Sequence, residues 1–276
     1  MTKLIRTILC TLALAAILPV SPALSKDGVI EWQAFNEEAK SLYEKGQFDR
    51  AIVVAKKALQ VAEQDAGPDH PAVALSLNNL AGIYDTQGKY AHVESLYKRA
   101  LTVFEKTLSP DNPYIALSLN NLAGVYHAQG KYAQAESLYK RALTIREKAL
   151  GPDHPDVAMS LNNLAELYRI QGRYEKAEPL YKRSLSIKQK ALGPDHPDVA
   201  TSLNNLALLY NIQGQYAQAE SLFKHTLTIF EKALGPDHPN VALSLENLAG
   251  LYRATQRTLD AEGLEARAAR IRAIAR

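Results

Sequence analysis

The apolar positions of this chain fall at helical spacing and are interrupted at fixed intervals. Between residues 109 and 150, Leu119, Leu122, Ala123 and Tyr126 stand at i, i+3, i+4 and i+7, one face of a helix. Past Gly130 the spacing resumes with Tyr132, Ala135, Leu138, Tyr139, Ala142, Leu143 and Ile145. The alternation and closely spaced turns that strands require are missing. The stretch predicts a helix, a Gly turn, a second helix and a Pro-rich loop.

That unit recurs. Pro-Asp pairs begin at 68, 110, 152, 194 and 236, each 42 residues after the last, within four copies of Gly-Pro-Asp-His-Pro and one Ser109-Pro-Asp-Asn-Pro113. A fixed period of this size marks a solenoid, a propeller or an array, and the helical spacing selects a two-helix repeat. Gln-Gly recurs at 87–88, 129–130, 171–172 and 213–214, where Gly can take the left-handed conformation that ends the first helix. The last proline of each loop (Pro71, Pro113, Pro155, Pro197, Pro239) suits the first position of the next helix, where a missing N–H costs nothing. Asp156 and Asp198 follow at the positive end of the helix dipole.

Leu122-Ala123-x-x-Tyr126, then Ala135, then Tyr139, matches the Leu-small-x-x-Tyr…Ala-x-x-x-aromatic pattern of tetratricopeptide repeats. The usual unit has about 34 residues, so a closing proline delayed by about eight lengthens the second helix by roughly two turns. In this long form the repeat resembles the tetratricopeptide domain of kinesin light chains, strongly over residues 67–252 and more weakly on either side. The resemblance implies an all-α fold, a right-handed superhelical solenoid of about six helix-turn-helix repeats. They fall at about 30–66, 67–108, 109–150, 151–192, 193–234 and 235–276. The first is diverged but keeps Ala39, Gly46, Phe48 and Ala51 in register, with polar ends suited to a terminal cap. In the sixth, Thr255-Gln256 replaces the Gln-Gly turn, and Arg267, Arg270, Arg272 and Arg276 are expected to solvate the open end.

The first residues are of another kind. Lys3 and Arg6 precede an apolar run from Ile8 to Val20, followed by Pro22, Ala23 and Ser25. This layout predicts a signal peptide over 1–25, cleaved after Ser25, and a repeat domain over 26–276. The run is short and contains Pro19, which argues against a membrane span. The expected location is therefore exported, periplasmic or secreted. Cys10 is the only cysteine, so cleavage would leave no disulfide, no thiol nucleophile and no Cys-based metal site. With 32 basic and 29 acidic residues the charge is +3, and losing Lys3 and Arg6 lowers it to +1. That balance makes no case for nucleic acid or an anionic membrane as a partner.

The sequence carries no phosphate-binding Gly loop, no Gly-x-Ser-x-Gly and no His-Glu-x-x-His, which points to a non-catalytic protein without a cofactor. His70, His154, His196 and His238 lie at least one repeat apart, with helix layers about 8–10 Å each, so they cannot converge on one metal ion and are read as loop or cap residues. Lys98-Arg99, Lys140-Arg141 and Lys182-Arg183, with Lys224-His225, resemble a basic stripe. However, Glu94, Glu136, Glu178 and Glu220 each precede the first Lys by four residues, the helix-stabilising order, which makes this a charge-paired face.

Asparagine doublets stand mid-helix at 78–79, 120–121, 162–163 and 204–205, although Asn is a mediocre helix former. The first of each doublet lies off the buried stripe of Leu77, Leu80, Ala81 and Tyr84. In a tetratricopeptide superhelix, as the resemblance implies, that position lines the concave groove. Asn36, Asn78, Asn120, Asn162 and Asn204 would form an amide row gripping the backbone of an extended peptide, since an amide both donates and accepts. Specificity would come from Gly82, Gly124, Glu166 and Leu208 on one side, and from Asp85, His127, Arg169, Asn211 and Arg253 on another. The second asparagines (Asn79, Asn121, Asn163, Asn205) are better placed to bond the backbone of the adjacent repeat. The expected function is protein–protein interaction through an extended peptide or protein segment in the groove. The alternatives are a scaffold or assembly factor of a cell-envelope complex, using its convex face or terminal repeats, and a regulatory subunit of an enzyme complex.

Overall fold

The computed structural model describes residues 25–274, and of the leader expected over 1–25 all but Ser25 lies outside them. Twelve α-helices and no strands form the described residues, joined as helix-turn-helix pairs. The chain divides into two compact units at residue 149. The first holds α1 (Lys26–Glu44), α2 (Phe48–Ala66), α3 (Pro71–Thr86), α4 (Tyr90–Thr107), α5 (Pro113–Ala128) and α6 (Tyr132–Leu150). The second holds α7 (Pro155–Ile170), α8 (Tyr174–Leu192), α9 (Pro197–Ile212), α10 (Tyr216–Leu234), α11 (Pro239–Ala254) and α12 (Thr258–Ile274).

The local punctuation works as the sequence predicts. Gly46, Gly88, Gly130, Gly172 and Gly214 all have positive φ, between 71° and 75°. In the last repeat Gln256 adopts the same left-handed conformation at φ 62°, although it carries a Cβ. From α3 onward every odd-numbered helix opens with proline at its first position. In the four inner repeats the odd helices run 16 residues and the even ones 18 or 19, the expected lengthening of the second helix.

Packing follows the small-residue and aromatic positions. Ala81, Ala123, Ala165 and Ala207 on the odd helices, with Ala100, Ala135, Ala177 and Ala219 on the even ones, are fully buried. A methyl at these positions lets paired backbones approach closely. Tyr97 and Tyr139 in the first unit, and Tyr181 and Phe223 in the second, fill the space beside them and are also fully buried. In the second unit Val199, Leu203, Ile229, Phe230, Val241, Leu245 and Ile271 form one cluster across successive repeats. Each large apolar side chain removed from water in this way contributes roughly 1.5–3 kcal/mol. No single pair of helices can complete such a cluster, so each repeat depends on its neighbour.

The C-terminal arginines differ from expectation. Instead of simply meeting solvent, Arg267 pairs with Glu231 at 2.5 Å and Arg272 grips both oxygens of Glu246 at 2.8 and 2.9 Å. They reach carboxylates on the preceding helices and tie α12 to them. Arg276 lies outside the described residues.

Candidate functional site

The odd-numbered helices carry the expected amide row, and the structure shows where each amide is directed. In the first unit Asn79 Nδ2 donates to Asn36 Oδ1 at 3.0 Å, and Asn36 Nδ2 donates to its own helix at Trp32 O, 2.7 Å away. Asn78 Nδ2 donates to Ser118 Oγ of the next odd helix at 2.8 Å. In the second unit Asn205 Nδ2 donates to Asn162 Oδ1 at 2.9 Å, and Asn247 Nδ2 to Asn204 Oδ1 at 2.8 Å. At these three junctions Asn79, Asn205 and Asn247 bond the first-position asparagine of the repeat before, side chain to side chain, whereas Asn78 Oδ1 has no such partner. The sequence had pointed to the adjacent backbone.

Asn78, Asn120 and Asn204 are 3%, 1% and 8% exposed, while Asn36 and Asn162 are half-buried. A buried amide without partners is costly, so these contacts hold successive odd helices at a fixed offset. Part of the hydrogen-bonding capacity is left over. Asn78 Oδ1 is buried without a partner, as is Asn211 Oδ1.

The second row is chemically different in every repeat. Asp85 is half-buried on α3. His127 on α5 is buried edge-on to the Tyr132 ring, 6.0 Å between centroids. Arg169 on α7 forks onto Glu166 at 2.7 and 2.5 Å, and Glu166 also accepts from the Tyr181 hydroxyl at 2.7 Å. That carboxylate raises the Arg169 pKa above its ordinary value, and burial with the adjacent carboxylate pushes the Tyr181 phenol well up. Arg253 on α11 forks onto Glu265 of α12 at 2.7 and 2.5 Å. Asn211 is half-buried beside Leu208, with Ile212 exposed. The two arginines thus carry their own counter-ions.

Two sets of contacts that sequence reasoning passed over tie the helices together, one within a repeat and one between neighbouring repeats. The loop aspartates Asp69, Asp111 and Asp195 pair with Lys106, Lys148 and Lys232, each 37 residues later in the chain. Glu94, Glu178 and Glu220 accept from the lysine four residues on, at 2.6 to 2.7 Å, as expected. They also bind the following repeat: Glu94 through Gln129 at 3.0 Å, Glu178 through Tyr210 at 3.1 Å, Glu220 through Tyr252 at 3.0 Å. The repeated 42-residue register was the available signal, since it sets each kind of pair at the same place in successive repeats. The histidines cap their own helices. Nδ1 of His70, His154, His196 and His238 accepts from the N–H of the second residue of the following helix at 3.1 to 3.2 Å, and Asn112 Oδ1 does so at 3.0 Å.

Paired helices repeated six times, with buried alanines between them and an amide row along the odd helices, define an α-helical repeat protein of the class that presents surfaces to other proteins. The tetratricopeptide repeat model matches residues 33–106, 114–190, 161–232 and 198–273, and the chain belongs to that family. Among solved structures it is similar to BtubC (BKLC) of P. vanneervenii, with 27% identity over 82% of this chain and 91% of that one at a TM-score of 0.68. It is also similar to the nearly identical repeats of a putative kinesin light chain of Podosopora anserina, with 28% identity over 75% of this chain and 98% of that one at a TM-score of 0.63. Nephrocystin-3 of Mus musculus is 41% identical over 52 residues, 19% of this chain, which spans 4% of that relative's length.

Proposed function

We propose that this protein is an exported, non-catalytic interaction module that binds an extended peptide or protein segment along the exposed face of its odd-numbered helices. The supporting observation is a contrast between positions. Packing positions keep one chemistry from repeat to repeat, while Asp85, His127, Arg169, Asn211 and Arg253 occupy one helical position with five different surroundings. A surface that varies over a constant frame suits side-chain recognition. The amide row beneath it sets the spacing of the helices. The test is selection from a random peptide display library with the mature chain. An enriched consensus whose binding weakens at least tenfold with Asp85→Ala or Asn211→Ala is expected. Absence of enrichment, or binding indifferent to both changes, overturns the reading.

A second reading, an envelope scaffold joined through its terminal repeats, is favoured by Leu259 and Ile274 on α12, which are 85% and 68% exposed. Sedimentation showing a monomer at every concentration counts against its self-assembling form. Export rests on Lys3, Arg6 and the apolar run from Ile8 to Val20, and fractionation of the producing cell checks it.

A further inference from the structure

α12 buries Ala261, Ala268 and Ile271 and turns a second apolar face outward. The departure is plain against the earlier even helices at equal positions. Where these carry exposed Lys98, Lys140, Lys182 and Lys224, α12 carries Ala266. Where they carry exposed Lys106, Lys148, Lys190 and Lys232, α12 carries Ile274, itself largely exposed. Leu259 stands in solvent on the same face, seven residues before Ala266 and so nearly in line with it.

Four charged side chains of α12 are paired within the fold: Asp260 with Arg257, Glu265 with Arg253, Arg267 with Glu231 and Arg272 with Glu246. Glu262 and Arg270 are exposed and make no hydrogen bond or ion pair to any described residue. They lie on the outward face, four residues to either side of Ala266, about 6 Å along the axis each way. Gly263 is exposed within the helix, and a Cβ there would meet nothing within 4 Å. Glycine weakens a helix interior, and the fold itself supplies no reason for one here. A backbone approaching from outside does.

A two-fold axis through Ala266 uses each of these features. With two copies of the helix antiparallel, every residue faces the one equally far on the other side of Ala266. Glu262 of each copy then meets Arg270 of the other, so the ion pair forms twice. Leu259 of each copy meets Ala273 of the other, and Gly263 meets Ala269, which lets the backbones come close. The face is complementary to itself, as a contact between identical surfaces requires.

We infer that this protein forms a two-fold dimer in which α12 packs antiparallel on α12 of a second copy, with Glu262–Arg270 pairs on either side of Ala266. The inference rests on the scaffold reading, to which it adds the partner and the register, and it leaves ligand binding along the odd helices untouched. About four helical turns make a small contact, so association at micromolar concentration is expected.

Sedimentation velocity of the purified protein over a range of concentrations is the test, and a monomer–dimer equilibrium is expected. Ala266→Lys and Glu262→Arg should each weaken dimerisation by about tenfold or more and leave helicity unchanged, since both positions are exposed. The double variant Glu262→Arg/Arg270→Glu exchanges the charges and should restore it. A mixture of the Glu262→Arg chain with the Arg270→Glu chain should likewise pair where neither does alone. A dimer indifferent to these changes overturns the inference and leaves the scaffold reading standing. A monomer at every concentration overturns both the inference and the self-assembling form of that reading.

Discussion

The Tyr252 hydroxyl of α11 donates to Glu220 Oε1 on α10 at 3.0 Å. Lys224, four residues on, donates to the same oxygen at 2.7 Å, and Arg257 reaches both oxygens at 3.0 Å. A single carboxylate thus gathers a helix neighbour, an aromatic hydroxyl and a guanidinium from the next repeat. Hydrogen bonding from Lys224, with smaller contributions from Arg257 and Tyr252, holds its pKa down at about 2 against 4.5 for a free side chain.

This depression predicts acid sensitivity. The folded pKa lies below the unfolded value, so ionised Glu220 stabilises the fold fully above about pH 4.5 and loses that effect as the pH falls toward 2. Glu94, held at about 2 chiefly by Lys98 and then Gln129, adds to the same window. Urea unfolding between pH 6 and 2.5 should show stability falling with acid, and Glu220→Gln should flatten the decline. An unchanged slope would remove Glu220 from this role.

A second pH effect belongs to the caps. His70 Nδ1 accepts the Ala72 N–H at 3.2 Å, which only the neutral ring can do. Burial lowers the His70 pKa below 6.5. For a base this direction favours the neutral form in the fold, so the contribution is present above pH 6.5 and lost as the pH drops through the lowered value. His70→Asn, which installs the residue found at position 112, should keep the cap and abolish this part of the pH dependence. Amide exchange at Ala72, compared at pH 7.5 and 5.5 in both proteins, reads it directly.

Asn162→Ala tests the amide row without any ligand. It removes the acceptor of Asn205 Nδ2, and a polar group left unpaired in a half-buried place costs about 1 kcal/mol. Equilibrium unfolding should register that loss. A variant as stable as the parent would return the amide row to the ligand-gripping role that its helical position first suggested.

Gln256→Gly addresses the one non-glycine residue with positive φ among the described residues. The left-handed conformation costs a residue with a Cβ roughly 1–2 kcal/mol, and glycine's greater freedom in the unfolded chain returns part of that. A net gain of about 0.5–1 kcal/mol is expected, seen as a higher urea midpoint; a lower midpoint would contradict it.

Much of this was legible in the sequence because the signals are local. Gly130 ends a helix and Pro113 begins one through their own backbone geometry, and the Glu94–Lys98 pair needs only the pitch of one helix. The candidate site was legible only in part. The helical angle of Asn78 marks it as lying off the main apolar stripe, yet Asn78 is buried, since the next odd helix brings Ser118 within 2.8 Å of it. The arginines of the last helix were likewise visible as charges, while the carboxylates they grip, Glu231 and Glu246, lie 36 and 26 residues away.

The sequence by itself determined the number of helices, their order, their ends and the repeat that relates them, because dihedral preference and periodicity act over a few residues. Only the tertiary structure decided which polar groups meet. Asn205 and Asn162 stand 43 residues apart, and their pairing depends on how closely two odd helices approach once the alanines between the helices are buried. That separation is a property of packing, and it brings the two amides into a bond between repeats.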